Sequence, residues 1–208
     1  MNNTDEMHTA PAIILIGGGG HCAACIDVIE LEGNYRIIGI LDSQPKDASQ
    51  LLGYPLLGDD SQLPHLRSRC DYVLITVGQI HSPVARSRLF ELTTALGYQH
   101  PVIVSPRAYV SRHAHIGAGS IIMHDALVNS RAQIGNNCII NSKALIEHDA
   151  TIADHCHIST AAIINGGTII KSGTFIGSNA VTKEYVTTRS NDFIKACSLF
   201  TGYNNEQN

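Results

Sequence analysis

The chain carries two hydrophobic periods, and one gives way to the other near residue 104. Between residues 12 and 100, short apolar runs alternate with helical stretches. Ala12–Ile16 reads as a buried strand, followed by Gly17-Gly18-Gly19-Gly20-His21 and a helix from Cys22 to Leu31. Arg36–Leu41 is a second strand, ending at Asp42, and Tyr72–Val77 is a later one closed by Gly78. A helix from about Ser82 to Leu96 stops at Gly97, which suits a left-handed C-cap. Strands alternating with helices predict a parallel sheet with right-handed crossovers. This stretch, residues 12–103, is long enough for a half-Rossmann unit and too short for a full doubly wound domain.

From Val104 the period is six. Aliphatic residues fall at every sixth position from Val104 through Val110, Ile116 and Ile122 to Ile176, thirteen in register without a gap. Four residues after each comes a small side chain, as at Ala126, Cys138, Ala144, Cys156 and Ala180. Neither a helix nor a plain strand gives this spacing, whereas a hexapeptide repeat predicts a parallel β-helix. Three hexads make one triangular coil, so each residue stacks on the one eighteen later at roughly 4.8 Å. The aliphatic residue fills the prism and the small one fits where the interior narrows. Each coil buries a core that no repeat could bury alone. The repeat is legible to about Thr182, and residues 183–208 read as a divergent tail, with a short capping helix at Asp192–Phe200.

Composition narrows the function classes. Hydrophobic residues make up 44% and charged residues 15%, the balance of a folded protein rather than a disordered one. A formal net charge of −4, without a run of Lys or Arg, argues against nucleic acid or an anionic membrane as partner. Residues 1–11 read as a flexible polar N-terminus without signal-peptide architecture, and Ala12–Ile16 is too short to span a bilayer. Together these predict a cytoplasmic protein. The six cysteines then read as free thiols. Cys22 and Cys25 form a C-x-x-C that invites a redox or zinc reading, but no second ligand pair follows, and buried helix cysteines are the simpler account. Cys138 and Cys156, eighteen apart, are expected to stack inside the prism.

The tandem aliphatic-Gly-x-x-small hexads, such as Ile116-Gly117-Ala118-Gly119-Ser120 and Ile134-Gly135-Asn136-Asn137-Cys138, resemble those of the hexapeptide-repeat acyltransferases. More narrowly, the chain is similar to the sugar acyltransferases that include bacillosamine and perosamine N-acetyltransferases and the sialic acid O-acetyltransferases. The likeness rests on Gly17 to His21 after the first strand, Asn141, Glu147-His148-Asp149 and His157-Ile158-Ser159. It implies a left-handed β-helix, acetyl-CoA as co-substrate, no metal, and a homotrimer. It also implies that His148 is the catalytic base, that Asp149 orients it, that His157 contacts the acetyl donor, and that Gly166 N–H holds the thioester carbonyl oxygen. Independently of the resemblance, Gly166 lies eighteen residues after His148, so the two should stack in adjacent coils. A glycine there leaves the backbone open to a ligand. An imidazole with an ordinary pKa near 6.5 is suited to taking a proton from an attacking amine or hydroxyl.

In such enzymes the N-terminal domain is expected to hold a nucleotide-sugar acceptor. Gly17, Gly18, Gly19, Gly20 and His21 sit at a strand-to-helix turn, where backbone N–H groups and the helix dipole favour phosphate. Asp42 is placed to meet ribose or base, and Gly78 and Asn141 complete the expected acceptor set. The leading reading is acetylation of the amine of a UDP- or GDP-linked 4-amino-4,6-dideoxy sugar, for surface glycan or glycoprotein biosynthesis. O-acetylation of a sialic-acid-like sugar is the alternative. A non-catalytic sugar-binding scaffold and a γ-type carbonic anhydrase are the rivals from other classes. The anhydrase reading lacks the pair of histidines five apart that it needs.

Overall fold

The computed structural model describes residues 10–44 and 49–203. Most of the expected flexible N-terminus, and the last residues of the expected tail, lie outside the described residues. Two compact units are present: residues up to 78 together with 84–104, and residues 79–83 together with those from 105 onward.

The first unit is built on β1 (Ala12–Ile16), α1 (Gly20–Glu32) and β2 (Arg36–Leu41). A small hairpin follows, β3 (Gln50–Leu51) and β4 (Tyr54–Pro55), then a single turn of 3₁₀-helix at Asp60–Gln62 and the short α2 (Leu63–Leu66). β5 (Tyr72–Ile75) and α3 (Val84–Ala95) complete it. The sheet is parallel in the order β2-β1-β5. β1 is the central strand, and its Ile13, Ile14, Leu15 and Ile16 are all buried, as a continuous apolar run in a sheet covered on both faces requires. One face packs Ile14 and Ile16 against Leu41, Leu63, Ile75 and Leu89. α1 buries Cys22, Cys25, Ile26, Val28 and Ile29, and ends where Gly33 takes φ 74° and donates its N–H to Ile29 O. β5 is two residues shorter than its apolar run suggests. The N–H groups of Thr76 and Val77 both turn to the single acceptor Ile16 O, at 2.8 and 3.0 Å, which ends the ladder.

The second unit is a left-handed parallel β-helix of about five turns. Two-residue strands stack at an interval of eighteen on three faces. One carries Tyr109–Val110, Leu127–Val128, Leu145–Ile146 and Ile163–Ile164. The next carries His115–Ile116, Gln133–Ile134, Thr151–Ile152 and Ile169–Ile170. The third carries Ile121–Ile122, Ile139–Ile140, His157–Ile158 and Phe175–Ile176. The second residue of each pair points inward. Val128, Ile140, Ile146, Ile158, Ile164 and Ile176 have no exposed surface. Every sixth residue from Gly119 to Cys197 has φ between 53° and 73°, so each corner is turned through one left-handed residue. Cys138 and Cys156 are buried free thiols within this prism, each donating to a backbone carbonyl at 3.2 Å.

Two sequence expectations are corrected. Residues 183–203 are no divergent tail, and Asp192–Phe200 forms no helix. The coil continues, with Val181–Thr182 pairing Leu199–Phe200, Phe175–Ile176 pairing Phe193–Ile194, and Thr187 bridging Ile169. The left-handed corners at Tyr185, Asn191 and Cys197 keep the six-residue beat. The aliphatic signal fades because Thr182 and Thr188 take the inward position, where a threonine has the shape of a valine. Their hydroxyls are satisfied by accepting from Asn165 N at 3.0 Å and Lys171 N at 2.8 Å, which removes the cost of burying them. The second correction is at Gln79–Pro83, which packs with the β-helix rather than with the α/β unit around it. Gln79 Nε2 donates to His155 O at 2.9 Å and Gly173 O at 3.3 Å, and the His81 ring stacks on Phe193.

Candidate active site

The strongest chemistry lies on one edge of the β-helix, where the turns Ser130-Arg131, His148-Asp149, Gly166-Gly167 and Glu184-Tyr185 stack coil upon coil. His148 is about half exposed, and its Nδ1 lies 2.7 Å from Asp149 Oδ2. Arg131, one coil earlier, grips the same carboxylate with two donors, Nε to Oδ1 at 2.6 Å and a terminal nitrogen to Oδ2 at 2.7 Å. This fork and the His148 bond hold the Asp149 carboxyl well below the usual carboxylate range, Arg131 contributing most. A carboxylate only accepts, so the proton of this bond sits on His148 Nδ1. That leaves Nε2 with a lone pair for an incoming proton. The left-handed corner at Asp149, φ 62°, places the carboxylate beside its neighbour's ring.

Gly166 lies against that ring. A Cβ built on it would stand 2.9 Å from His148 Cε1 and 3.0 Å from Nε2, so no side chain fits without displacing the imidazole. Along this edge the amides of Ser130 and His148 are capped by the side chains of Asn129 and Glu147. Gly166 N–H forms no hydrogen bond among the described residues. Eighteen-residue stacking thus brings together three predicted residues, His148, Asp149 and Gly166.

His157 and Asn141 form a second pair, on a different edge. His157 is buried. Its Nδ1 meets Gln79 O at 2.5 Å, and its Nε2 meets Asn141 Nδ2 at 3.3 Å. A carbonyl only accepts, which fixes the proton on Nδ1 and leaves Nε2 to accept from the asparagine. Asn141 Oδ1 in turn accepts from Ser142 N at 2.7 Å. The Phe175 ring meets His157 edge-on.

In the first unit, the Gly-rich turn joins the end of β1 to α1. Gly17 adopts φ 110°, and a Cβ there would stand 2.7 Å from Val77 N, so only glycine fits. Gly18 N donates to Asp42 Oδ2 at 3.0 Å, and Gln44 N donates to Oδ1 at 2.9 Å, so one Asp42 oxygen caps the Gly-rich turn and the other closes the turn after β2. Gly19 and Gly20 face open space at the start of α1, whose first turn has neither an acidic residue nor a side-chain cap. His21 lies beside Gly78, with its Nε2 3.5 Å from Cys25 Sγ. Burial pushes the Cys22 thiol up to about 11 and raises that of Cys25 as well, which suits packing rather than redox chemistry. A cleft of about 130 Å³ opens at the carboxyl ends of β1 and β2, lined in part by Gly17, Asp42, Asp60, Val77 and Arg88. Ligands bind at such strand ends in open parallel sheets. Arg88 donates to Asp60 at 2.8 Å on its rim.

Arg131, Gln79, Asp60 and Arg88 were not singled out from the sequence. Only Arg131 left a trace there, lying eighteen residues before Asp149 with opposite charge. Arg131→Met is expected to lower kcat about tenfold, the scale of one lost charge-assisted hydrogen bond, and to leave both KM values near wild type. Steady-state kinetics with each substrate varied in turn checks this.

Two family models match the chain: the PglD N-terminal domain over residues 12–91, and the bacterial transferase hexapeptide (six repeats) over residues 113–148. Among solved structures, the acetyltransferase domain of PglB from Neisseria gonorrhoeae, in complex with acetyl coenzyme A, is 28% identical with a TM-score of 0.86. That match covers 93% of this chain and 92% of the other. Over nearly its whole length the chain is similar to sugar acetyltransferases built on hexapeptide repeats. A histidine-to-asparagine variant of perosamine N-acetyltransferase from Caulobacter crescentus, in complex with CoA and GDP-perosamine, is 27% identical with a TM-score of 0.86. It covers 92% of this chain and 89% of its own. No curated protein sequence matches significantly. Among the described residues of this acyltransferase, no group of three or more His, Cys, Asp or Glu could hold a metal ion, and no helix is long and apolar enough to cross a membrane.

Proposed function

We propose that the protein transfers the acetyl group of acetyl-CoA to the amine of a UDP- or GDP-linked 4-amino-4,6-dideoxy sugar. The observation that carries this reading is the Arg131–Asp149–His148 array lying directly over Gly166. Thioester aminolysis needs a base beside the attacking nitrogen and a donor for the oxyanion, and no covalent enzyme intermediate. The neutral amine attacks the thioester carbon. His148 Nε2 takes a proton from the nitrogen as the tetrahedral intermediate forms. Asp149, kept ionised by Arg131, stabilises the resulting imidazolium. Gly166 N–H holds the negative oxygen until the C–S bond breaks, and the proton held by His148 passes to the sulfur, so CoA leaves as the thiol. The solved relatives with acetyl coenzyme A, and with CoA and GDP-perosamine, support the donor and the acceptor class.

The first unit supports a nucleotide-linked acceptor rather than a free sugar. An open helix start after Gly17 to Gly20 suits a diphosphate, and the adjoining cleft offers Arg88. Gly18→Leu is expected to raise the acceptor KM about tenfold or more and to spare the KM of acetyl-CoA. A Cβ there would stand 2.6 Å from Asp42 Oδ2 and disturb the turn. A variant that weakened only acetyl-CoA would overturn this role for the first unit. The direct test is thiol release from acetyl-CoA with nucleotide-linked amino sugars, free amino sugars and a sialic acid in parallel. Free sugars reacting as well as their nucleotide forms would contradict the reading.

A homotrimer is part of the proposal. His148 and Gly166 lie on one edge of the prism and the His157–Asn141 pair on another, so a neighbouring copy is needed to bring both to one acetyl group. One face offers the surface for it. Its outward residues are Tyr109, Leu127, Leu145, Ile163, Val181 and Leu199, an unbroken apolar column. The next face presents the mixed set His115, Gln133, Thr151 and Ile169 in the same positions. Closed threefold symmetry would bury the apolar column without leaving a free edge. Sedimentation equilibrium should report a trimer, and a stable, fully active monomer would exclude it.

A further inference from the structure

We infer that Gln79 is a positioning residue, which fixes the tautomer and the orientation of His157. The inference rests on the proposed function only for the contact of His157 with the acyl donor. Gln79 packs with the β-helix, is 2% exposed, and uses both its side chain and its backbone there. Its Nε2 donates to His155 O at 2.9 Å and to Gly173 O at 3.3 Å. These two are left-handed corners of consecutive coils, with φ 59° and 73°. Each lies two positions before an outward residue of the third face, His157 and Phe175, which are paired across the coils. With its amide clamped to both corners, Gln79 turns its own carbonyl onto His157 Nδ1, at 2.5 Å. The rest of the segment is seated as well. A Cβ on Gly173 would stand 3.0 Å from Pro83 Cγ, and His81 stacks on Phe193, which stacks in turn on Phe175.

The Gln79 amide has one usable orientation, since reversing it would set Oε1 against two carbonyl oxygens. In that orientation Oε1 is buried and has no hydrogen-bond partner among the described residues. A buried acceptor left unpaired costs stability, so the side chain is held in place for its two donors. The direction of every bond beyond it follows. Gln79 O only accepts, so His157 keeps its proton on Nδ1 and Nε2 accepts from Asn141 Nδ2. Asn141 Oδ1 accepts from Ser142 N. In the Nε2–H form the ring would meet the Asn141 amide donor to donor, so the whole chain of bonds turns on the Gln79 carbonyl. His157 then brings no hydrogen on Nε2 to the thioester oxygen, which leaves that oxygen to Gly166 N–H.

The test is imidazole ¹⁵N NMR of the full-length protein with labelled histidine, for wild type, Gln79→Ala and Gln79→Met. Methionine keeps the length of glutamine and removes its donors, so it separates packing from hydrogen bonding. Wild type should show His157 as a single Nδ1–H tautomer. An Nε2–H form or a mixture in wild type would overturn the inference whether or not the variants fold. Both variants should show a mixture at His157, with the signals of His148 unaltered. An unchanged His157 in Gln79→Met would show that packing alone holds the ring, and a disturbed His148 would show a general loss of structure. Either result rejects the inference. In Gln79→Met, kcat/KM for acetyl-CoA should fall about tenfold, the equivalent of about 1.4 kcal/mol, with the acceptor KM unchanged. Full activity beside a mixed tautomer would also reject it. The NMR result needs no substrate. If the variants lose the single tautomer but wild type acetylates no nucleotide sugar, the proposed function fails and the hold of Gln79 on His157 stands.

Discussion

Replacing His148 with alanine should lower kcat by about 10²–10⁴-fold, the usual contribution of a general base, while CoA binding and the melting temperature stay near wild type. The imidazole is half exposed and is held by Asp149 rather than by packing, so its loss leaves no cavity in the prism. The remaining rate would come from the Gly166 amide and from holding donor and acceptor together. Asp149→Asn should cost less, because Asp149 orients and polarises the ring and transfers no proton. Near-normal turnover by purified His148→Ala would mean that another group is the base.

Gly166→Ala should lower kcat about a hundredfold with little change in stability. The added methyl would stand 2.9 Å from His148 Cε1, and the half-exposed ring is the part free to move. Alanine tolerates the backbone at 166, which is not among the left-handed positions, so the coil itself is not strained. A displacement of about 1 Å at a reacting group is enough for a hundredfold loss. The same change at Gly167 would act through a different cause, colliding with the Tyr185 ring. Kinetics and thermal unfolding of Gly166→Ala, measured together, check the prediction. Full activity would show that the close approach of Gly166 and His148 has no part in turnover.

The β-helix was legible because its determinants are local and periodic: one aliphatic residue inward and one small residue at the narrowing, every six positions. The same rule lost the last coil, where Thr182 and Thr188 replace aliphatic residues and only the backbone partners of their hydroxyls show that they are buried. The stacking of His148 over Gly166 followed from counting eighteen, as did the burial of Cys138 and Cys156. Arg131 obeys the same count, but surface Arg–Asp pairs are common and usually weak, so that spacing alone does not mark it. Gln79 could not have been found this way. It lies in a segment embedded in the α/β pattern, and its bond to His157 spans 78 positions. Asp42 has a contact that its place after β2 does not reveal, since one of its oxygens accepts from Gly18 N, 24 positions away, and the other from Gln44 N.

The most direct test of the account is the product itself. The protein, acetyl-CoA and a nucleotide-linked 4-amino-4,6-dideoxy sugar are incubated together, and NMR locates the transferred group while free thiol is counted. The account predicts one acetamide on the sugar amine for each thiol released, with both products formed about 10²–10⁴-fold more slowly by His148→Ala. Thiol release without a sugar product, an acetyl ester in place of the amide, or equal product from His148→Ala would each contradict it.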